Sequence, residues 1–188
     1  MVSWVNRTIA KASWKRFLVW FAFLFVFSLW AFNLDSPWTR ALDLACGVLP
    51  ETKPGIPAIE PIRSLDALGG NTGDYLLWQL LDIPYAVMNL MVTTTGIALG
   101  LKAMRLGSGF WRGLIILPML YLICELVENS FLAAFASKLL TPSETIVLLQ
   151  QLATTLKFAS GFPAMAFGAL GVVIALLASL IKSFRKNT

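Results

Sequence analysis

The chain has 188 residues, of which 57% are hydrophobic and only 13% charged, with a net charge of +5 and a mean hydropathy of +0.74. Soluble domains carry roughly 25% charged residues, so the composition argues against an ordinary cytosolic fold. The absence of histidine removes Ser-His-Asp and Cys-His catalysis, histidine-ligated metal and haem sites and histidine pH switching, and two cysteines alone cannot hold zinc or an iron–sulfur cluster.

A bilayer core of about 30 Å needs about 20 apolar helical residues. The first qualifying stretch, at 17–33, follows the basic residues Arg7, Lys11, Lys15 and Arg16. Trp30, Phe32 and Asn33 close it instead of a small-residue cleavage site, so it reads as a retained anchor and not as a secretory signal. Its aromatic residues Trp20, Phe21, Phe23, Phe25, Phe27 and Trp30 are expected to face lipid or a partner.

A loop at 34–75 follows, with prolines at 37, 50, 54, 57 and 61. Ser36-Pro37 predicts a short helix from Pro37 to Cys46 ending at Gly47, then an extended, turn-rich stretch at 48–62. Ser64 is expected to cap a second turn ending at Gly69-Gly70. Such a loop cannot bury a core of its own and should lie as a cap over the helix ends.

The second span is expected at 76–101 and the third at 113–136. Thr141-Pro142-Ser143-Glu144 has the form of a capping box with proline at the first helical position. It predicts a helical extension at 142–160 leading into a fourth span at 160–181, with a kink at Pro163. Reading this region as two crossings would carry Lys182, Arg185 and Lys186 to the wrong side.

Charge sets the orientation. Arg7, Lys11, Lys15, Arg16, Lys102, Arg105, Arg112, Lys182, Arg185 and Lys186 flank the spans on one side, with no acidic neighbour in their segments. The other side carries Arg40, Lys53, Arg63 and Lys138 against Asp35, Asp43, Glu51, Glu60, Asp66, Asp74 and Glu144. The positive-inside rule then puts both termini in the cytoplasm. The expected fold is all-α: an integral membrane four-helix bundle with a short capped outer loop, forming a single domain over 1–188. Cys46 lies outside and Cys124 near mid-membrane, too far apart in depth for a disulfide; Cys124 reads as a small packing residue.

Ionisable residues inside the spans are the informative feature, because charge at membrane depth is costly and normally partnered. Gln79, Asp82, Asn89 and Thr93 recur on one face of the second span, with Pro84 beside the carboxylate loosening the helix. Tyr121, Glu125, Glu128 and Asn129 share a face of the third, where Glu125 and Glu128 are an i,i+3 pair. Gln150, Thr154, Lys157, Gly161, Ala164, Gly168 and Ala175 form a stripe on the fourth, polar above and small below, suited to close helix approach.

Alternating span directions bring Asp82, Glu128 and Lys157 into the outer half. The candidate cluster is therefore Asp82, Glu125, Glu128, Asn129 and Lys157, supported by Gln79, Tyr85, Asn89, Tyr121 and Thr154. Three carboxyl groups and one lysine leave a formal charge of −2, which implies a bound proton or cation in a low dielectric. A plain hydrogen-bonded network that fixes helix pairing competes with any chemical role.

The same residues resemble a widespread, functionally uncharacterised bacterial family of small four-span membrane proteins. Leu65-Asp-Ala-Leu-Gly69, Gly73, Tyr75 and Asp82-Ile-Pro-Tyr85 are similar to its LG..GR..Y and D..FP..Y motifs. Leu117-Pro118 with Glu125-Leu-Val-Glu128-Asn129 resembles its LP…D..EN motif, and Thr154 with Lys157 its T..K motif. Asp74 stands where the family has Arg, removing a positive partner, and Glu125 where it has Asp. The resemblance covers about 65–160. It implies four spans, a bacterial inner membrane and the same site residues, and it supplies no reaction.

Three functions compete. The first is a non-enzymatic accessory or structural subunit packing against a membrane-protein partner or itself, favoured by small size and the aromatic first span. The alternative is a lipid, small-molecule or ion binder or carrier using the carboxylate–lysine cluster beside Pro84 and Pro163. The third is an intramembrane enzyme on a lipid substrate, with carboxyl groups as acid and base. Mg²⁺ or Mn²⁺ on Asp82, Glu125 and Glu128 fits the ligand type, but no spacing demands a metal and no cofactor is expected. Membrane lipids are expected partners. Nucleic acid is not, despite a pI near 9.5, since the basic residues are short juxtamembrane groups.

Overall fold

The computed structural model describes residues 2–33, 35–40, 65–106 and 109–186. Five long helices account for most of them: α1 (Val2–Lys11), α2 (Trp14–Ala31), α3 (Thr72–Met104), α4 (Leu117–Ala136) and α5 (Glu144–Lys186). Short 3₁₀ turns at Gly69–Asn71 and Gly109–Ile116 lead into α3 and α4. No strand occurs among the described residues. Four stretches are long and apolar enough to cross a membrane: Trp14–Ala31, Gly69–Met104, Trp111–Ala136 and Glu144–Arg185.

The second, third and fourth expected spans each fall inside one of these, and the first, at 17–33, runs two residues past Ala31. The basic leader is itself a helix, α1. It is absent from the expected elements, because at ten residues it is too short to show as a span; its amphipathic signal is the spacing of Val5 and Ile9 against Trp4, Arg7 and Lys11. Helix α3 extends four residues before and three after the expected 76–101, and it is unbroken at Pro84. Helix α5 runs 43 residues without interruption at Pro163, about 65 Å of helix at 1.5 Å per residue. The extension and the fourth span are thus one helix. A proline removes one backbone hydrogen bond, which a packed apolar helix tolerates.

The start of α5 also differs from expectation. Its N-cap is Ser143, whose hydroxyl accepts the Ile146 N–H at 3.4 Å while its carbonyl accepts the Val147 N–H at 2.9 Å. Thr141 and Pro142 precede the helix. The expected turn at Ser36-Pro37 is present: a helical turn begins at Pro37, and the Ser36 hydroxyl accepts the Thr39 N–H at 3.3 Å. Its continuation to Cys46, the extended stretch at 48–62 and the Ser64 cap lie outside the described residues.

The chain divides into two compact units. The first comprises Met1–Leu24, Met88–Leu120 and Ser160–Thr188. Val5 of α1 and Ala12 just after it pack with Ile97, Leu101, Ile115 and Ala175 in its core. The Lys102 ammonium donates to the carbonyls of Ala10 at 3.2 Å and Ala12 at 3.1 Å, holding the end of α1. Helices α3 and α5 cross at glycines. A Cβ at Gly96 would meet the Gly168 carbonyl oxygen at 2.7 Å, and one at Gly100 or Gly171 would run into the backbone of Gly171 or Gly96. Arg105 closes α3 at φ 59°, with Leu106 N–H donating to the Leu101 carbonyl at 2.9 Å, a Schellman end built on a non-glycine residue.

The second unit comprises Phe25–Val87 and Tyr121–Ala159. Its apolar core joins Leu65, Leu68, Tyr75, Leu132, Phe135, Ala136 and Val147. Phe32 packs against Trp78 and Tyr85 at ring distances of 4.8 and 4.9 Å, tying the end of α2 to α3. All ten acidic residues of the chain belong to this unit, and the first unit has none. Ten of the fifteen basic residues belong to the first unit.

Candidate functional site

Three helices of the second unit supply the polar cluster. Helix α3 presents residues at i and i+3, Gln79 and Asp82, on one face. Helix α4 presents Tyr121, Glu125, Glu128 and Asn129, which recur at spacings of four, three and one. Helix α5 presents Gln150, Thr154 and Lys157, again at helical spacing. The periodicity that keeps apolar residues on the outside of each helix therefore turns these side chains inward.

Glu128 is the centre. It is fully buried, and the Lys157 ammonium forms an ion pair with its Oε2. Thr154 donates its hydroxyl proton to Glu128 Oε1. The Gln150 amide donates to the Thr154 hydroxyl at 2.9 Å and lies 3.5 Å from Glu128 Oε1. Lys157 also pairs with Glu125 Oε1 at 3.4 Å, and its side chain is only 9% exposed. Its ammonium lies 5.2 Å from the centre of the Phe158 ring.

The other carboxyl groups extend this centre. The Asn129 amide donates to Asp82 Oδ2 at 3.0 Å, linking α4 to α3. Glu125 also lies close enough to the Asp82 carboxyl and to Tyr121 for their charges to act on one another. Asp82 is half-buried, whereas Gln79, Glu125, Asn129, Gln150, Thr154 and Lys157 are buried. All five core candidates, Asp82, Glu125, Glu128, Asn129 and Lys157, thus meet in one network.

Among the supporting residues, Thr154 and Tyr121 belong to that network. Tyr85 packs its ring on Phe32, and Gln79 is buried on the Asp82 face. Asn89 does not join them. It belongs to the first unit, where its Oδ1 accepts the Thr93 hydroxyl at 3.1 Å. Helical spacing put Asn89 on the Asp82 face, and spacing alone carries no information about where along a helix that face stops meeting polar neighbours.

Gln150 earns a place that the candidate set did not give it. Its signal was its position one turn before Thr154 in the polar stripe of α5. Cys124 is buried and unbridged, as a packing residue should be; Cys46 lies outside the described residues. Among the described residues, no group of three acidic or thiol side chains converges closely enough to hold a metal ion. No family model, curated protein or solved structure matches the chain.

Proposed function

We propose that the protein is a four-span inner-membrane protein with both termini in the cytoplasm, acting as a non-enzymatic accessory or structural subunit. The separation of charge supports this orientation. The unit without acidic residues holds every basic group expected on the cytoplasmic side.

The observation that carries the functional reading is the closure of the polar network. Lys157 meets two carboxylates, Glu128 is sealed from solvent, and Thr154, Gln150 and Asn129 supply hydrogen bonds within it. Such a network fixes which faces of α3, α4 and α5 meet. In an apolar medium that specificity cannot come from hydrophobic contact, because lipid is as apolar as leucine. The surface left over is apolar. Helix α2 buries only Ala31 fully and exposes Phe21, Phe23, Phe25, Val26, Leu29 and Trp30, a face suited to lipid or to another membrane helix.

Purification in mild detergent after cross-linking in the membrane tests this reading. A stoichiometric membrane partner or a homo-oligomer is expected, with contacts through α2. Recovery of monomer alone overturns it.

One observation favours a second reading, that the cluster binds a proton or small cation. The network holds three carboxyl groups and one ammonium, and Gln150 Oε1 is buried with no hydrogen-bond partner among the described residues. An extra proton shared by Asp82 and Glu125, or a cation reaching Gln150, would balance both charge and hydrogen bonding.

A further inference from the structure

The first unit contains a cavity of about 360 Å³ that the polar cluster does not use. Trp4, Arg7 and Lys11 of α1, Arg16 and Trp20 of α2, and Thr94 of α3 line it. Three features define its chemistry.

The first is charge. Arg7 and Lys11 lie one turn apart on α1, so both project toward the same side. Arg16 joins them from the next helix. The unit that holds this cavity has no aspartate or glutamate, so no carboxylate of its own neutralises the three cations.

The second is an unmatched polar group. Thr94 is only 7% exposed, and its hydroxyl has no hydrogen-bond partner among the described residues. A buried hydroxyl without a partner is destabilising, and a ligand oxygen would supply the missing bond.

The third is amphipathic lining. The two indoles suit the boundary between headgroups and acyl chains, and Leu90, Met91 and Met119 complete the wall with apolar surface. The cavity is also held in shape, because Lys102 fastens the end of α1 through two backbone carbonyls.

We infer that this cavity binds the headgroup phosphate of an anionic phospholipid from the cytoplasmic leaflet. Guanidinium groups recognise phosphate oxygens through paired N–H bonds, and the lysine adds a point charge. A zwitterionic headgroup would bring its own ammonium against Arg7, Lys11 and Arg16, so the site selects lipids that lack one. The inference rests on the membrane-spanning reading. It is independent of whether the polar cluster or α2 has the role proposed above, and partner recovery does not depend on it.

The test is native mass spectrometry of the full chain in detergent, titrated with phosphatidylglycerol, phosphatidylcholine or inorganic phosphate. Each cation near an anionic headgroup is worth about fivefold in affinity. The triple variant Arg7→Gln/Lys11→Gln/Arg16→Gln should therefore bind phosphatidylglycerol roughly a hundredfold more weakly. A charge-matched control, Lys182→Gln/Arg185→Gln/Lys186→Gln, should bind as the parent does. Thr94→Val, which keeps net charge and shape, should weaken binding severalfold and covers the case in which the triple variant does not fold. Equal loss in both triple variants would reduce the effect to general surface attraction and overturn the site. So would equal binding of phosphatidylcholine, or displacement of the lipid by inorganic phosphate at matching concentration, or an unchanged Thr94→Val.

Discussion

Lys157 and Glu128 form an ion pair across two helices, with the carboxylate fully buried and the lysine side chain 9% exposed. Two opposite charges out of water stabilise a fold only when their remaining hydrogen bonds are met. Here Thr154 and Gln150 meet them on one side and Glu125 on the other. The pair is therefore part of a set, and removing one member should be felt by the rest.

Thr154→Val tests that directly. Valine keeps the shape but removes the hydroxyl that donates to Glu128 and accepts from Gln150. Two buried polar groups lose a partner, so unfolding in a detergent titration should show a loss of about 1–3 kcal/mol. Thr155→Val, one residue on and exposed with only a bond to the Gln151 carbonyl, should stay within about 0.5 kcal/mol.

Asp82 separates the structural reading from the ion-binding one. Asp82→Asn preserves an oxygen to accept the Asn129 amide and removes one of the two excess negative charges. If the network is a lock, stability holds or rises and partner recovery is unchanged. If it holds an extra proton, proton release on unfolding, measured by buffer-dependent calorimetry or a pH dye, falls by about one proton per molecule. Asn129→Leu should destabilise under either reading.

Much of this site was legible because charge is rare and costly within a long apolar helix, which narrows the choices to a few residues. Asp82, Glu125, Glu128 and Lys157 could be named from span position, and alternating direction put them together. The central role of Glu128 was not legible, since it depends on how α4 and α5 rotate against each other; Gln150 stood in the polar stripe, but its contact with Glu128 depends on the same rotation. Asn89 failed for the converse reason: a helical face continues past the region where polar partners exist. The unbroken path through Pro84 and Pro163 was also hidden, because local rules see the missing hydrogen bond but not the packing that tolerates it. Gly168 stood in the small-residue stripe, but Gly171, which meets Gly96 from the same helix, did not.

That crossing makes its own prediction. Gly100→Ala and Gly171→Ala each place a methyl group against facing backbone, so each should lose about 1–3 kcal/mol. A Cβ at Gly113 meets nothing within 4 Å, and Gly113→Ala should be neutral within about 0.5 kcal/mol. Comparing the three by detergent-induced unfolding checks the close approach of α3 and α5.

The orientation is tested by labelling whole cells with a membrane-impermeant maleimide, in a background carrying Cys46→Ala and Cys124→Ala. Ser137→Cys should be labelled from outside. Lys182→Cys should be labelled only after the membrane is opened. The reverse pattern would invert the topology, and labelling of both from outside would mean that α5 does not make a single crossing.

The most direct measurement is a double-mutant cycle on the central pair. Lys157→Met leaves Glu128 buried without its cation, and Glu128→Leu leaves Lys157 leaning on Glu125 alone. Removing one partner of a buried pair costs about 3–5 kcal/mol, whereas replacing both with apolar residues is often close to neutral. A network that locks helices should therefore give a double variant far more stable than the two single losses summed, with a coupling of at least about 2 kcal/mol. Additive losses, or single variants as stable as the parent, would contradict the account.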